Sequence, residues 1–326
     1  MLYESTFITV YSVIICFILG GCMGSFLNCM AWRIVHGEGL GGRSHCDSCG
    51  HVLGALDLIP ILSYIINKGK CRYCGVKLSR RHLVAEAISA IVFVSILLKF
   101  NISFQALKFM LFACILLAAS FADLEGYIIP DRFIISGIVV YAGCLIYDSS
   151  AWLDGLAGGV IVAGGTLIVV LIFEKVKGVE AMGGGDIKLL FVTGLFLGLA
   201  ANVLCLILAC LIGIIFGLAA GGQRSEEPQS QESDERCAGQ GSEEPQSAES
   251  DERCGCPGGA EQALPELAEQ LESPAQDTGC PEGSAPEGQP EEMAPGAFPW
   301  GPSIAIAAWI SMLCGSELAN WYLSLL

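Results

Sequence analysis

The sequence predicts an all-α polytopic membrane protein of about eight transmembrane helices. Of its 326 residues, 53% are hydrophobic and only 15% charged, and mean hydropathy is +0.59, too apolar for an ordinary soluble domain. Residues 5–32 contain no Asp, Glu, Lys or Arg, enough chain for one helix across a bilayer. Residues 189–220 are free of charge for 32 positions, more than one span needs.

The first predicted element is the helix over 1–32. Only Glu4 precedes its apolar run, with no basic segment, and the run is too long for a signal-peptide core. It is expected to stay as a membrane anchor. Residues 33–82 are polar and carry Arg33, Arg43, Lys68, Lys70, Arg72, Lys77, Arg80 and Arg81. Apolar spans are predicted near 83–98, 104–122, 132–148 and 152–173. The charge-free run at 189–220 divides near Ala200-Ala201-Asn202, and a last span starts near 302.

Basic residues accumulate in cytoplasmic loops, so the cluster at 33–82 is placed inside the cell and the N-terminus outside. Asp123, Asp131, Arg132, Lys175, Lys177, Asp186 and Lys188 then fall on the cytoplasmic side. The opposite loops near 149–151 and 200–202 have no basic residue, and the one near 99–103 has only Lys99. Five regions follow: the first helix (1–32), a cytoplasmic segment (33–82), a membrane core (83–221), an insert (222–298) and a last helix (299–326).

The net charge of −16 belongs to the insert. Residues 221–299 hold 19 of the 33 acidic and 3 of the 17 basic residues, leaving 14 of each elsewhere. Rich in Glu, Gly, Pro, Ser and Gln, the insert is expected to be a disordered acidic cytoplasmic loop. Ser225–Cys237 and Ser242–Cys254 repeat one pattern at a period of 17, too few copies for a repeat fold.

Of the 16 cysteines, Cys46, Cys49, Cys71 and Cys74 form two Cys-x-x-Cys-Gly knuckles with 21 residues between them. Two such knuckles offer four thiolates to a tetrahedral zinc, with a glycine permitting the turn after each second sulfur. Four sulfurs leave no open position, so the metal would be structural. Most of the others, including Cys16, Cys22, Cys29, Cys114, Cys144, Cys205, Cys210 and Cys314, lie in apolar runs and read as small buried hydrophobes.

Two carboxylates border apolar runs, where ionisable groups are costly and mark function. Asp123 closes one run ahead of Ile129-Pro130-Asp131, and Asp186 follows Gly183-Gly184-Gly185 and opens another. Taken singly, Asp186 also reads as a helix cap and Asp123 as a solvated carboxylate at a helix end. Asp131, after Pro130, looks like a cap. Glycines before Asp186 would let a substrate backbone approach. As a pair, the two acids could share one proton, one activating water while the other protonates a scissile carbonyl. No Gly-x-Ser-x-Gly elbow or His-Glu-x-x-His helix offers a competing hydrolytic site.

These motifs resemble the bacterial type IV prepilin peptidases of the Gly-x-Gly-Asp aspartyl protease class, over nearly the whole chain except the insert. Gly24-Ser25-Phe26-Leu27-Asn28 with Arg33 is similar to the family's first signature. Arg43-Ser44-x-Cys46 onward, through Pro60, Ser63-Tyr64, Cys71-Arg72-x-Cys74-Gly75 and Glu86, is similar to its zinc segment. Asp123 with Ile129-Pro130-Asp131 resembles the first aspartate motif, and Glu180-Ala181-Met182-Gly183-Gly184-Gly185-Asp186-Ile187-Lys188-Leu189 the second. Pro299-Trp300-Gly301-Pro302 resembles the Pro-Phe-Gly-Pro lead into the last helix.

The resemblance implies catalytic roles for Asp123 and Asp186, with Glu180, Gly183, Gly185 and Lys188 supporting the site. It implies cleavage of a short basic leader from prepilins and pseudopilins at the cytoplasmic face of the inner membrane. It also implies N-methylation of the new terminus with S-adenosylmethionine, whose binding residues it leaves unknown. Prepilins and the bilayer are the implied partners, and nucleic acid is not. The long insert departs from the short connection the family pattern has there. Other readings are a peptidase without methylation, a transporter with ion-carrying carboxylates and a zinc-stabilised scaffold. The transporter lacks an apparent inverted repeat, and the scaffold leaves Gly183 to Asp186 idle.

Overall fold

The computed structural model describes residues 6–39, 41–46, 48–148, 152–178, 182–223 and 299–323. The predicted acidic insert therefore lies almost wholly outside the described residues, as does Glu180. The described part forms helices in the order α1 (Thr6–Val35), α2 (Leu62–Ile66), α3 (Arg80–Phe100), α4 (Phe104–Gly126), α5 (Asp131–Tyr147), α6 (Trp152–Lys177), α7 (Gly184–Leu197), α8 (Leu199–Gln223) and α9 (Gly301–Leu323). Each apolar segment expected from sequence is a helix. Five of them (α1, α3, α4, α6 and α8) are long and apolar enough to cross a membrane, and Gly301–Gly315 of α9 is a shorter apolar helix. The chain is an all-α, multi-pass membrane protein.

Local chemistry sets the helix ends. Ser79 and Ser103 cap α3 and α4 by accepting hydrogen bonds from Arg81 and Ala106 N–H. The charge-free run breaks at Gly198 rather than at 200–202. Its φ of +79° suits glycine, and a Cβ there would lie 2.0 Å from Asp154 Oδ2. Asp154 Oδ1 in turn accepts from Leu199 N–H at 3.3 Å, fastening the start of α8 to α6.

The short α7 is the centre of the bundle. Its 14 residues reach roughly 21 Å, less than a bilayer core of about 30 Å, yet Leu189, Leu190 and Val192 are fully buried. Against α6 the backbones nearly touch, since a Cβ on Gly194 would lie 2.3 Å from Gly159 N. Small residues allow such approach where no hydrophobic effect drives helices together. Asn202 of α8 is fully buried. It donates to Gly158 O (3.0 Å) and Leu190 O (3.2 Å) and accepts from Thr193 Oγ1 (2.8 Å). One amide thus links α6, α7 and α8. Phe112 of α4 stacks on Phe196 of α7 at 4.4 Å between ring centroids.

The cysteines in apolar runs divide. Cys16, Cys144 and Cys205 are buried, but Cys22, Cys210 and Cys314 are exposed. The expectation of general burial fails for these three because, in a membrane protein, acyl chains suit an apolar side chain as well as a protein interior does.

Candidate active site and metal site

Helix ends converge at one end of the bundle. Arg81 of α3 pairs with Glu125 of α4, Asn28 of α1 donates to His82 Nδ1 of α3 at 2.9 Å, and Lys188 of α7 donates to Asp131 Oδ1 of α5 at 2.6 Å. Asp123 lies in the last turn of α4, which ends where Tyr127 turns left-handed and gives its N–H to the Asp123 carbonyl. Asp186 lies in the first turn of α7.

Both carboxylates are buried, Asp123 at 4% and Asp186 at 8% exposure, and they lie within electrostatic reach of each other. Asp123 is therefore not a solvated helix-end carboxylate. Its Oδ2 accepts a 2.7 Å hydrogen bond from Gly301 N–H, the first residue of α9. Asp186 is not a cap either: Gly183 is the N-cap of α7 and no side chain caps it. Asp186 Oδ1 is buried and has no hydrogen-bond partner among the described residues, an expensive state for a carboxylate unless a substrate or water meets it. Asp131 likewise follows the N-cap, Pro130.

The other residues singled out from sequence take distinct places. Gly185 gives room to Ile129, whose Cβ would stand 3.0 Å from an added Cβ, so the space there is filled by the chain itself. A Cβ on Gly183 would lie 3.3 Å from Asp186 Oδ2, while Gly184 faces open space. Lys188 spends its charge on Asp131, both side chains being more than half exposed. Two further residues, Gly301 and Ser120, have no role that the sequence alone announces. Ser120 Oγ, itself buried, reaches Gly301 O at 3.4 Å. Gly301 lies in the Pro299-Trp300-Gly301-Pro302 motif, which names no partner, and Ser120 lies in no motif.

Between α1 and α3 the chain forms two knuckles. Gly50 N–H donates to Cys46 O (2.8 Å) and Gly75 N–H to Cys71 O (3.0 Å), both glycines at positive φ. The four sulfurs of Cys46, Cys49, Cys71 and Cys74 lie within 4.8 Å of one another, with Cys46 and Cys74 at 3.9 Å. A tetrahedral zinc about 2.3 Å from each thiolate sets them roughly 3.8 Å apart, so the donor set fits. Backbone N–H groups of Cys49 and Ser48 bring the Cys46 thiol down to about 7, readying it as a thiolate. His51 of one knuckle packs on Tyr73 of the other, ring centroids 3.6 Å apart. Tyr73 also donates to Asp57 Oδ2 at 3.2 Å. The segment joins the bundle where Ile61 N–H donates to the buried Glu86 at 2.6 Å.

Residues 18–100 match the bacterial peptidase A24 N-terminal domain and residues 110–218 match the type IV leader peptidase family. The chain is 34% identical over 208 residues to a prepilin leader peptidase/N-methyltransferase of Bacillus subtilis (strain 168), covering 63% of this chain and 82% of the relative. One of the same name from Myxococcus xanthus (strain DK1622) is 30% identical over 227 residues, 67% of this chain and 68% of that one. One from Aeromonas salmonicida (strain A449) is 26% identical over 293 residues, covering 86% and 75%. No solved structure matches. The two family matches end before α9.

Proposed function

The chain belongs to the type IV leader peptidase family, and from that premise we propose that it is a membrane-embedded aspartyl endopeptidase. It removes the leader from type IV prepilins or pseudopilins and methylates the new N-terminus. The observation that carries the peptidase half is the buried pair, Asp123 and Asp186, the second with an oxygen that has no hydrogen-bond partner among the described residues.

Two neighbouring carboxylates cannot both ionise cheaply, so they hold one proton between them, and its titration belongs to the pair. One takes a proton from water as that water adds to the scissile carbonyl carbon, and the other protonates the carbonyl oxygen. Burial excludes bulk water and strengthens both interactions. The Lys188–Asp131 and Arg81–Glu125 pairs hold α7 to α5 and α4 to α3 around the two aspartates.

Cys46, Cys49, Cys71 and Cys74 would hold zinc, whose contribution there is to fold the segment between α1 and α3. The methyl donor implied by the relatives' names is S-adenosylmethionine. Among the described residues no group of side chains identifies its site. The basic-residue bias supports putting the aspartate end of the bundle at the cytoplasmic face of the inner membrane.

The reading is tested by incubating the purified protein with a prepilin peptide and S-adenosylmethionine and analysing the products by mass spectrometry. Cleavage ahead of the hydrophobic segment with one methyl group on the new terminus is expected. Cleavage without the methyl leaves a peptidase alone, and an intact peptide overturns both halves.

A further inference from the structure

The residue that meets Asp123 comes from α9, beyond both family matches and 178 positions away in the chain. Ser120 and Asp123 lie one turn apart on the same face of α4. The Gly301 N–H donates to Asp123 Oδ2 at 2.7 Å, while Ser120 Oγ, which donates to Leu116 O at 2.7 Å, packs 3.4 Å from the Gly301 carbonyl. Trp300 packs on Gly213 of α8, where an added Cβ would lie 3.0 Å from the indole. Beyond it Ile304, Ala307 and Ala308 are fully buried, so the amide is held from both sides. Pro302 has no N–H, leaving Gly301 as the donor at this point of the helix. A Cβ at 301 would lie 2.8 Å from Asp123 Oδ2 and 3.0 Å from its Cβ, so only glycine fits without displacing the carboxylate.

The bond also distinguishes the two acids. An N–H can only donate, so this bond stabilises Asp123 more as a carboxylate than as a carboxylic acid. A hydrogen bond from a backbone amide to a carboxylate is among the stronger ones. Among the described residues Asp186 Oδ1 has no donor.

We propose that Gly301 is a positioning residue that holds Asp123 as the proton-accepting member of the pair, leaving Asp186 as the proton-donating member. Asp123 takes a proton from water as the water oxygen bonds the scissile carbonyl carbon. Asp186 gives its proton to the carbonyl oxygen, whose π electrons become a lone pair. On collapse the C–N bond breaks, the leaving amine takes the proton from Asp123, and the hydroxyl proton returns to Asp186. This rests on the aspartyl peptidase reading above.

The direct test is an amide-to-ester exchange at position 301, glycolic acid in place of glycine in the full chain, which removes the N–H and adds no bulk. The prepilin cleavage kcat is expected to fall about ten- to hundredfold, as loss of a hydrogen bond to a charged group implies, with KM and melting temperature unchanged. A kcat within about twofold of wild type overturns the proposal, as does a loss carried by KM or by unfolding. Gly301→Ala, which keeps the N–H but crowds Asp123, is expected to lower kcat as well. Gly143→Ala, whose Cβ meets nothing within 4 Å, is the control. Asp123→Asn separates the two layers of argument. If it still cleaves, the aspartyl reading itself falls; if it is inert while the ester variant is normal, only the role of Gly301 falls.

Discussion

Lys188 of α7 reaches across to Asp131 at the head of α5, 2.6 Å from Nζ to Oδ1, rather than to either buried aspartate. The pair is more than half exposed on both sides, so its energy is small, about 0–1 kcal/mol. Lys188→Met is expected to shift the melting temperature in detergent by only a few degrees and to leave several tenths of the cleavage activity. A complete loss of activity with an unchanged melt would give Lys188 a direct part in the chemistry.

Asn202 is a different matter, because it satisfies three groups on α6 and α7 at once. Asn202→Leu removes the amide from Gly158 O and Leu190 O and leaves the Thr193 hydroxyl only Leu190 O at 2.8 Å, at a cost of about 1–3 kcal/mol. A clear drop in melting temperature is expected, larger than for Lys188→Met. Equal stability would mean that these groups find other partners.

The approach of α6 to α7 depends on having no side chain at Gly194. In Gly194→Ala the new Cβ meets the Gly159 backbone at 2.3–2.4 Å. The helices must part, at about 1–3 kcal/mol for overpacking. Lower yield of folded protein and a lower melting temperature are expected, whereas Gly143→Ala should behave as wild type.

The apolar segments are legible as helices because they are long runs of apolar residues, most of them bounded by charge, and a bilayer tolerates no other open structure. The Cys-x-x-Cys-Gly spacing was legible for a similar reason: a knuckle is local, and Gly50 and Gly75 supply its turn. Long-range relations were not. Nothing near Lys188 in the chain announces Asp131, and nothing near Asp123 announces Gly301. The break falls at Gly198, a few residues before the expected 200–202, because its cause is Asp154 on another helix. Asp186 looked like a cap from its glycines alone. The structure moves the cap to Gly183 and turns the carboxylate inward.

The thiolate set makes a metal prediction. Purified protein is expected to carry one zinc per chain, and Cys46→Ser or Cys71→Ser should lose it. Because the metal would fold the segment between α1 and α3, these variants should be cut there by a protease that spares the wild type. Full zinc content in Cys71→Ser would contradict the four-sulfur site.

The central claim is that Asp123 and Asp186 act together, and cleavage of a prepilin peptide by Asp123→Asn and Asp186→Asn measures it most directly. Each variant is expected to remain folded by thermal unfolding and to cleave at no detectable rate, the two losses being no larger in combination than singly. Substantial cleavage by either single variant would contradict the account.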